Sequence, residues 1–312
     1  NRTTPWISSS NASYVSLPRI VKEYAHDSGA FTQGLVFGAD GALYESDGLY
    51  RKSRVRRVEL DTGKTLAKNL NANEHFGEGL AAIGEKLYQL TWREGAMHEY
   101  DTKTLRRLST RAQPFHGEGW GLAYDETTGL AYGTDGTHRV HVLRPAHNWA
   151  ALQVLRVKDE RLGGTLIEGL NELEMVEGEL WANVLPLRYH KASPCVGLRC
   201  PHMRRLRRQY LNTQVARIDI NTGTVLGWVD LSALRDKQSS RVRRQPHHFV
   251  TNGIAYRRAA GRPQLLATGK QWDSMFDIDL EASNLGPDHV RSRCDLYLSP
   301  TNSHRSSSFF PH

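Results

Sequence analysis

A chain of 312 residues with 39% hydrophobic content has room for one large domain or two ordinary ones. No stretch approaches the roughly 20 apolar residues that a membrane-crossing helix needs, so that class is excluded. The net charge of +8 is unevenly spread. Residues 186–213 carry Arg188, Lys191, Arg199, Arg204, Arg205, Arg207 and Arg208 with no acidic residue, and 235–244 adds Lys237, Arg241, Arg243 and Arg244. Such runs read either as a surface for an anionic partner or as solvated loops. No aromatic ladder interleaves the arginines, which argues against nucleic acid.

In chain order, residues 1–18 are rich in Ser, Thr, Asn and Pro and read as an N-terminal extension. The chain starts at Asn1 without Met and carries two sequons, Asn1-Arg-Thr3 and Asn11-Ala-Ser13. The expectation is a secreted or endomembrane-lumen glycoprotein, with a leader either removed or lying outside this sequence. Residues 19–24 alternate as a strand with no hairpin partner nearby.

Short strands separated by turn signals then recur. They are expected at 31–37, 42–45, 53–59 and from 65, then at 79–83, 86–92, 96–100 and 105–108. A third set falls at 121–124, 130–134, 139–143 and 151–156. A fourth falls at 170–176, 179–184, 215–220 and 225–230, and a fifth at 253–256, 264–268 and 275–279. Asp61-Thr-Gly63, Asp101-Thr-Lys103 and Asn221-Thr-Gly223 supply tight turns. Each of the first three sets opens on a similar triplet: Gln33-Gly34-Leu35, Glu78-Gly79-Leu80 and Trp120-Gly121-Leu122. These glycines lie 45 and 42 residues apart. Four strands per such period predict an all-β, five-bladed β-propeller. The fifth set is one strand short, and 19–24 would complete it and close the ring, removing exposed sheet edges. The propeller would span 19–280, with a basic insertion at 186–213 inside the fourth blade and a polar, weakly ordered tail over 281–312.

In a propeller the innermost strands converge on a central channel, and loops at one end of it form the usual site. That topology would gather Gln33, Glu78, Trp120, Asn171 and the Asn252 region, with Glu45, Trp92, Asn183 and Lys270 at strand ends. Glu78 draws attention because glycines flank it and Phe76 precedes it. Flanking glycines signal close approach of backbone or ligand. Glu172 and Glu174 alternate with Leu173, and one of them would be a structural ion-pair partner. Asp47 and Asp135 each precede Gly and read as turn residues. His98 and His116 read as structural, since no Ser/His/Asp set accompanies them. Cys195 and Cys200 would close a short disulfide loop or stay as thiols, with Cys294 left over. His190, Cys195, Cys200 and His202 are zinc-ligand types without the usual short spacing.

Ten stretches in series resemble the plant and bacterial type of glutaminyl-peptide cyclotransferase. They are Phe31-Thr-Gln-Gly-Leu35, Leu43-Tyr-Glu-Ser46 with Gly48-Leu-Tyr50, Phe76-Gly-Glu-Gly-Leu80, Leu87-Tyr-Gln-Leu-Thr-Trp92, Gly119-Trp-Gly-Leu122, Thr134-Asp-Gly136, Leu170-Asn-Glu-Leu-Glu174, Trp181-Ala-Asn183, Asn252-Gly-Ile-Ala255, and Thr268-Gly-Lys270 with Trp272. The resemblance implies a five-bladed propeller that converts N-terminal Gln of peptides and proteins to pyroglutamate with release of ammonia. It implies no cofactor and no metal, unlike the unrelated animal-type enzyme, which uses zinc. By match to the family's motifs, Glu78, Asn171 and Lys270 would be catalytic. Glu78 would shuttle the proton, its affinity raised by burial against Phe76 and Trp92. Phe31, Gln33, Glu45, Phe76, Trp92 and Trp120 would bind substrate. Where the family often carries a second Trp, this chain has Leu185 after Val184, so one wall of the pocket would differ. A non-catalytic peptide- or glycan-binding propeller and a metal-dependent propeller hydrolase are the rival readings.

Overall fold

β1 (Val15–Ala25) opens the fold, and four-stranded antiparallel meanders follow it. The computed structural model describes residues 13–185 and 213–293. The first meander is β2 (Thr32–Phe37), β3 (Leu43–Asp47), β4 (Arg54–Val58) and β5 (Thr65–Leu70). The second is β6 (Gly77–Ile83), β7 (Lys86–Thr91), β8 (Ala96–Asp101) and β9 (Arg107–Ala112). The third is β10 (Leu122–Asp125), β11 (Leu130–Thr134), β12 (Arg139–Arg144) and β13 (Ala150–Arg156). A short hairpin, β14 (Lys158–Asp159) with β15 (Thr165–Leu166), leads into β16 (Leu170–Val176), β17 (Glu179–Val184), β18 (Gln214–Asp219) and β19 (Val225–Asp230). Two short helices, α1 (Ser232–Asp236) and α2 (Ser240–Arg244), precede β20 (Thr251–Arg257), β21 (Gln264–Gly269) and β22 (Ser274–Ala282). Helix α3 (Pro287–Arg293) follows.

The orphan strand finds the distant partner expected of it. β1 pairs antiparallel with β22 and, at Val15 and Ser16, parallel with β19. It therefore ties the last two meanders into one eight-stranded sheet. The strand starts earlier than residue 19 because the chain before it is anchored. Tyr14 Oη donates to Asp159 Oδ2 at 2.6 Å, and Trp228 Nε1 donates to the same oxygen at 2.8 Å. The polar 281–293 stretch is also more ordered than its composition suggests. β22 runs on to Ala282, and Val290 of α3 is buried among Tyr14, Val157 and Leu162. The sequon asparagines Asn1 and Asn11, residues 186–212 with Cys195, Cys200, His190 and His202, and the tail from Cys294 lie outside the described residues.

Within each of the first three sheets the leading strands are buried and the last strand is mostly exposed, as in β5, β9 and β13. The leading strands pack in cyclic order, β2 on β6, β6 on β10, β10 on β16, β16 on β20, and β20 back on β2. The arrangement is all-β and propeller-like. The recurring glycine of the triplets is what lets these backbones meet. A Cβ on Gly34 would lie 2.6 Å from Leu80 N, on Gly79 2.4 Å from Leu122 N, and on Gly121 2.0 Å from Asn171 O. We expect Gly121→Ala to lower the unfolding free energy by about 1–3 kcal/mol through overpacking, read as an earlier urea midpoint.

The fourth triplet, Asn171-Glu172-Leu173, has no glycine, and its contact is built differently. Glu172 Oε2 accepts from the Ile254 amide and Glu174 Oε1 from the Tyr256 amide, each at 3.1 Å. The two carboxyls span the gap from β16 to β20, so both are structural, and through backbone amides rather than an ion pair. Burial pushes both proton affinities well up. No helix among the described residues is long and apolar enough to cross a membrane.

Candidate active site

Glu78 stands at the start of β6, where Gly77 and Gly79 leave its backbone free to press against both neighbours. The Gly79 amide donates to Trp120 O at 2.6 Å. Ser46 Oγ donates to the Glu78 carbonyl and accepts from Gln89 Nε2 at 2.7 Å. The side chain is only 4% exposed. Its Oε1 accepts from Gln33 Nε2 at 2.9 Å, and Gln33 Oε1 accepts from Asn252 Nδ2 at 3.0 Å. Asn252 Nδ2 also reaches Thr32 O at 2.9 Å, which sets the direction of the whole relay. Glu78 Oε2 has no hydrogen-bond partner among the described residues, yet it is not sealed off. One oxygen is held and the other is available.

Lys270 arrives from β21. Gly269 lies flat on Trp272, since a Cβ there would sit 2.4 Å from the indole. Trp272 is fully buried and donates Nε1 to Phe249 O at 3.0 Å. The Lys270 amide donates to Val250 O at 2.9 Å, and the Gln271 amide donates to Ala30 O at 2.6 Å, so the turn is held on both sides. These contacts bring a lysine that is 7% exposed inward, with Nζ 4.8 Å from the centre of the Phe31 ring. Burial draws the Lys270 amine down to about 8, with Glu78 opposing the shift. Burial pushes Glu78 well above the carboxylate range; Lys270 opposes that shift, and Glu118 and Glu94 add to it. A buried carboxyl raised and a buried amine lowered, each acting on the other's charge, form an arrangement suited to moving a proton.

The walls are aromatic. Phe76 meets Phe31 edge-on with centroids 6.1 Å apart, Tyr50 at 5.4 Å and Trp92 at 5.5 Å. Gly48 is required here, since a Cβ would lie 2.4 Å from the Phe76 ring. Trp120 packs on Gly136, whose φ of +78° suits glycine. Asn171 is buried with its carbonyl taking a bond from Thr134 Oγ1 at 2.8 Å, while its Oδ1 has no partner among the described residues. Asn183 Oδ1 accepts from the Gly253 amide at 3.2 Å, and its Nδ2 has no partner among the described residues. The inner strands and their ends thus bring together Gln33, Glu78, Lys270, Phe31, Phe76, Trp92 and Trp120, with Asn171 on the neighbouring strand. Leu185, where a second Trp was looked for, is half-buried and donates its amide to Gly169 O at 2.9 Å.

Glu45, expected among the substrate-binding residues, belongs elsewhere. It is fully buried, and both its oxygens are occupied. Arg56 donates Nη2 and Nε to Oε2, and Thr32 Oγ1 donates to Oε1 at 2.7 Å. Glu45 and Arg56 face each other in the β3–β4 register, a pairing that the hairpin spacing already contains. His26 Nε2 lies 3.1 Å from Glu45 Oε1 and its Nδ1 2.9 Å from Trp272 O. Both neighbours are acceptors, which favours a proton on each ring nitrogen. Burial lowers the imidazole's proton affinity, but the charge and hydrogen bond of Glu45 outweigh that and raise it. Glu45 supports the site from behind, through Thr32 on one side and Trp272 on the other. Asp47 is likewise no simple turn residue; it pairs with Arg54 in the same buried cluster. Asp135 does act at a turn, accepting from the Thr137 amide at 3.1 Å, and it also holds His141 at 3.0 Å. His98 is buried between His75 and Thr110. Glu118 and Glu94, which bond to Trp92, Trp120, Tyr50 and the Phe76 amide, were not among the residues expected at the site. The signal for Glu118 was available, since it too sits between glycines, Gly117 and Gly119. Among the described residues, no group of three or more His, Cys, Asp or Glu is disposed to hold a metal ion.

The fold and site define a class: an all-β, propeller-like protein with a buried carboxylate and amine under an aromatic roof. The chain belongs to the glutamine cyclotransferase family, matching it over residues 3–189 and 202–280. The match breaks off inside the basic insertion. The chain is 35% identical over 284 residues to a glutaminyl-peptide cyclotransferase of Arabidopsis thaliana, an alignment covering 88% of this chain and 75% of that one. It is also similar to the crystal structure of Myxococcus xanthus glutaminyl cyclase, with a TM-score of 0.68 and 30% identity, covering 87% of this chain and all of that one.

Proposed function

We propose that the chain is a glutaminyl-peptide cyclotransferase, closing N-terminal Gln of peptides and proteins to pyroglutamate and releasing ammonia. The observation that carries this is the Gln33–Glu78 hydrogen bond beside Lys270, inside the aromatic walls. The relatives named for this catalysis favour it over a binding-only propeller or a metal-dependent hydrolase. We also read the cyclic packing of the leading strands as five blades, with β1 as the outer strand of the last.

The aromatic slot folds the Gln side chain back so that its own α-amine meets the γ-carboxamide carbon. The nucleophile is tethered, so orientation supplies much of the acceleration. Glu78 takes the proton from the amine through Oε2 while Gln33 keeps Oε1 in place. The new N–C bond forms, and the carboxamide oxygen becomes an oxyanion facing the Lys270 ammonium and the Asn171 amide. The oxyanion then collapses, the C–NH2 bond breaks, and Glu78 returns its proton to the departing nitrogen. Ammonia leaves with the atoms in balance.

The two displaced proton affinities set the pH dependence. Activity is expected to rise as Glu78 ionises, along a limb above the ordinary carboxylate range, and to fall through about 8 as Lys270 loses its charge. Ammonia release from a Gln-initiated peptide between pH 5 and pH 10 checks this. A profile flat across that range would remove both groups from the reaction. Secretion or residence in the endomembrane lumen is part of the proposal and rests on the sequons; a glycosidase mobility shift tests it. So is an anionic partner for the basic insertion, which unchanged peptide kinetics and anion binding after deletion of 188–210 would dispose of.

A further inference from the structure

Glu118 repeats the setting of Glu78, a carboxylate between two glycines. Gly117 has a φ of +106°, and a Cβ on Gly119 would lie 2.4 Å from Thr91 O. The resulting sharp turn delivers the carboxylate between two tryptophans. Its Oε2 accepts from Trp92 Nε1 at 2.7 Å and from Trp120 Nε1 at 3.0 Å. Its Oε1 accepts from Arg93 Nε at 2.9 Å, and that guanidinium lies 3.8 Å over the Trp92 ring. Trp92 follows β7 and Trp120 precedes β10, so one oxygen fixes walls that come from two different sheets. We infer that Glu118 is a positioning residue for the cyclisation, setting the angle between Trp92 and Trp120 and so the width of the slot in which the substrate side chain folds back.

The inference rests on the cyclotransferase reading and deepens it. Glu118 also acts on Glu78 through its charge. The groups facing Glu78 are Gln33, which is neutral, Lys270, which favours ionisation, and Glu118 and Glu94, which oppose it. Glu94 is held by Tyr50 Oη at 2.9 Å and the Phe76 amide at 3.2 Å, in a layer of its own. Glu118 thus has two separable effects, a geometric one on the indoles and an electrostatic one on the proton carrier.

The experiment compares Glu118→Ala and Glu118→Gln with the unaltered chain. It records Gln-peptide kinetics across pH, acrylamide quenching of Trp emission, and far-UV circular dichroism to confirm folding. Glu118→Ala is expected to raise KM about tenfold to a hundredfold with a smaller fall in kcat. It should expose indole emission to quencher, and that change should vanish in a Trp92→Phe, Trp120→Phe background. The acid limb of the rate profile should move to lower pH. Glu118→Gln keeps a carbonyl oxygen for the indoles, so it should restore most of KM and quenching while leaving the acid limb displaced. Unaltered KM and unaltered quenching in folded Glu118→Ala would overturn the inference. If the unaltered chain releases no ammonia, the cyclotransferase reading fails instead, and quenching alone still decides whether Glu118 holds the indoles.

Discussion

Glu78→Gln is expected to lower kcat about 10²- to 10⁴-fold while changing KM little, because it removes the proposed proton carrier and preserves shape. The amide oxygen can still accept from Gln33 Nε2, so the hydrogen-bonded relay from Asn252 survives. The same substitution should stabilise the fold at neutral pH. Burial raises the proton affinity of Glu78 in the folded state above its unfolded value. The folded protein therefore holds that proton more tightly, and stability is lost as pH rises from the unfolded value through the folded one. A neutral amide escapes this loss, so the gain should be larger at pH 7 than at pH 4. Urea denaturation at the two pH values, beside single-turnover ammonia release, tests both halves. A variant that keeps wild-type turnover would show that the proton travels by another group, and one that loses stability would show that the buried charge is better compensated than Lys270 alone allows.

Arg56→Met should be the most destabilising single change away from the chemistry, by about 3–5 kcal/mol. The guanidinium is fully buried. It donates twice to Glu45, and Nη1 reaches Thr65 Oγ1 at 3.0 Å. Burial alone would raise the proton affinity of Glu45, but the charges of Arg56 and His26 outweigh it and hold the group far below the carboxylate range. Without the guanidinium a buried anion is left beside Asp47, whose own affinity burial and the Glu45 charge already push up to about 7. Arg56→Met combined with Glu45→Leu should recover much of the loss, since replacing both members of a buried pair by apolar groups is often nearly neutral. A double-mutant cycle in urea measures the coupling. A loss below about 1 kcal/mol for the single change would put this pair in the class of surface ion pairs and contradict its burial. Turnover should fall modestly in the single variant, because Thr32, bonded to Glu45, precedes Gln33.

The two changes probe different layers of one design. The strands that carry Gln33 and Glu78 must be glycine-lined to approach each other, and they leave no room for bulky supports between them. Rigidity is supplied from behind, by the buried cluster of Glu45, Arg56, Asp47, Arg54 and His26, and from in front, by aromatic rings tied at their edges. His26 links the two ends of the ring directly, meeting Glu45 of β3 and the Trp272 carbonyl after β21. Trp272 in turn backs the turn that presents Lys270.

Much of this was legible from residues alone. Alternating apolar positions and turn signals located nearly every strand, because a half-buried strand has a period of two and its hairpins need particular turn residues. The spacing of the x-Gly-Leu triplets revealed the repeat, the chemistry at its openings pointed to Glu78 and Gln33, and the family resemblance singled out Lys270 at a strand end. Local pattern determines what a segment becomes, and a repeat makes that determination again at each copy. What local pattern cannot carry is the identity of a partner far along the chain. The hairpin register already sets Glu45 opposite Arg56. Only the tertiary structure closed the cage around Glu45 with His26 and Thr32, and set Glu172 and Glu174 on the amides of β20. It alone joined two indoles to Glu118, and it anchored the chain ahead of β1 through Tyr14 and Asp159, 145 residues apart. A carboxylate reads the same in sequence whether it meets a guanidinium, an indole or a ligand. Its role is set by which donors the closed ring brings within hydrogen-bond reach.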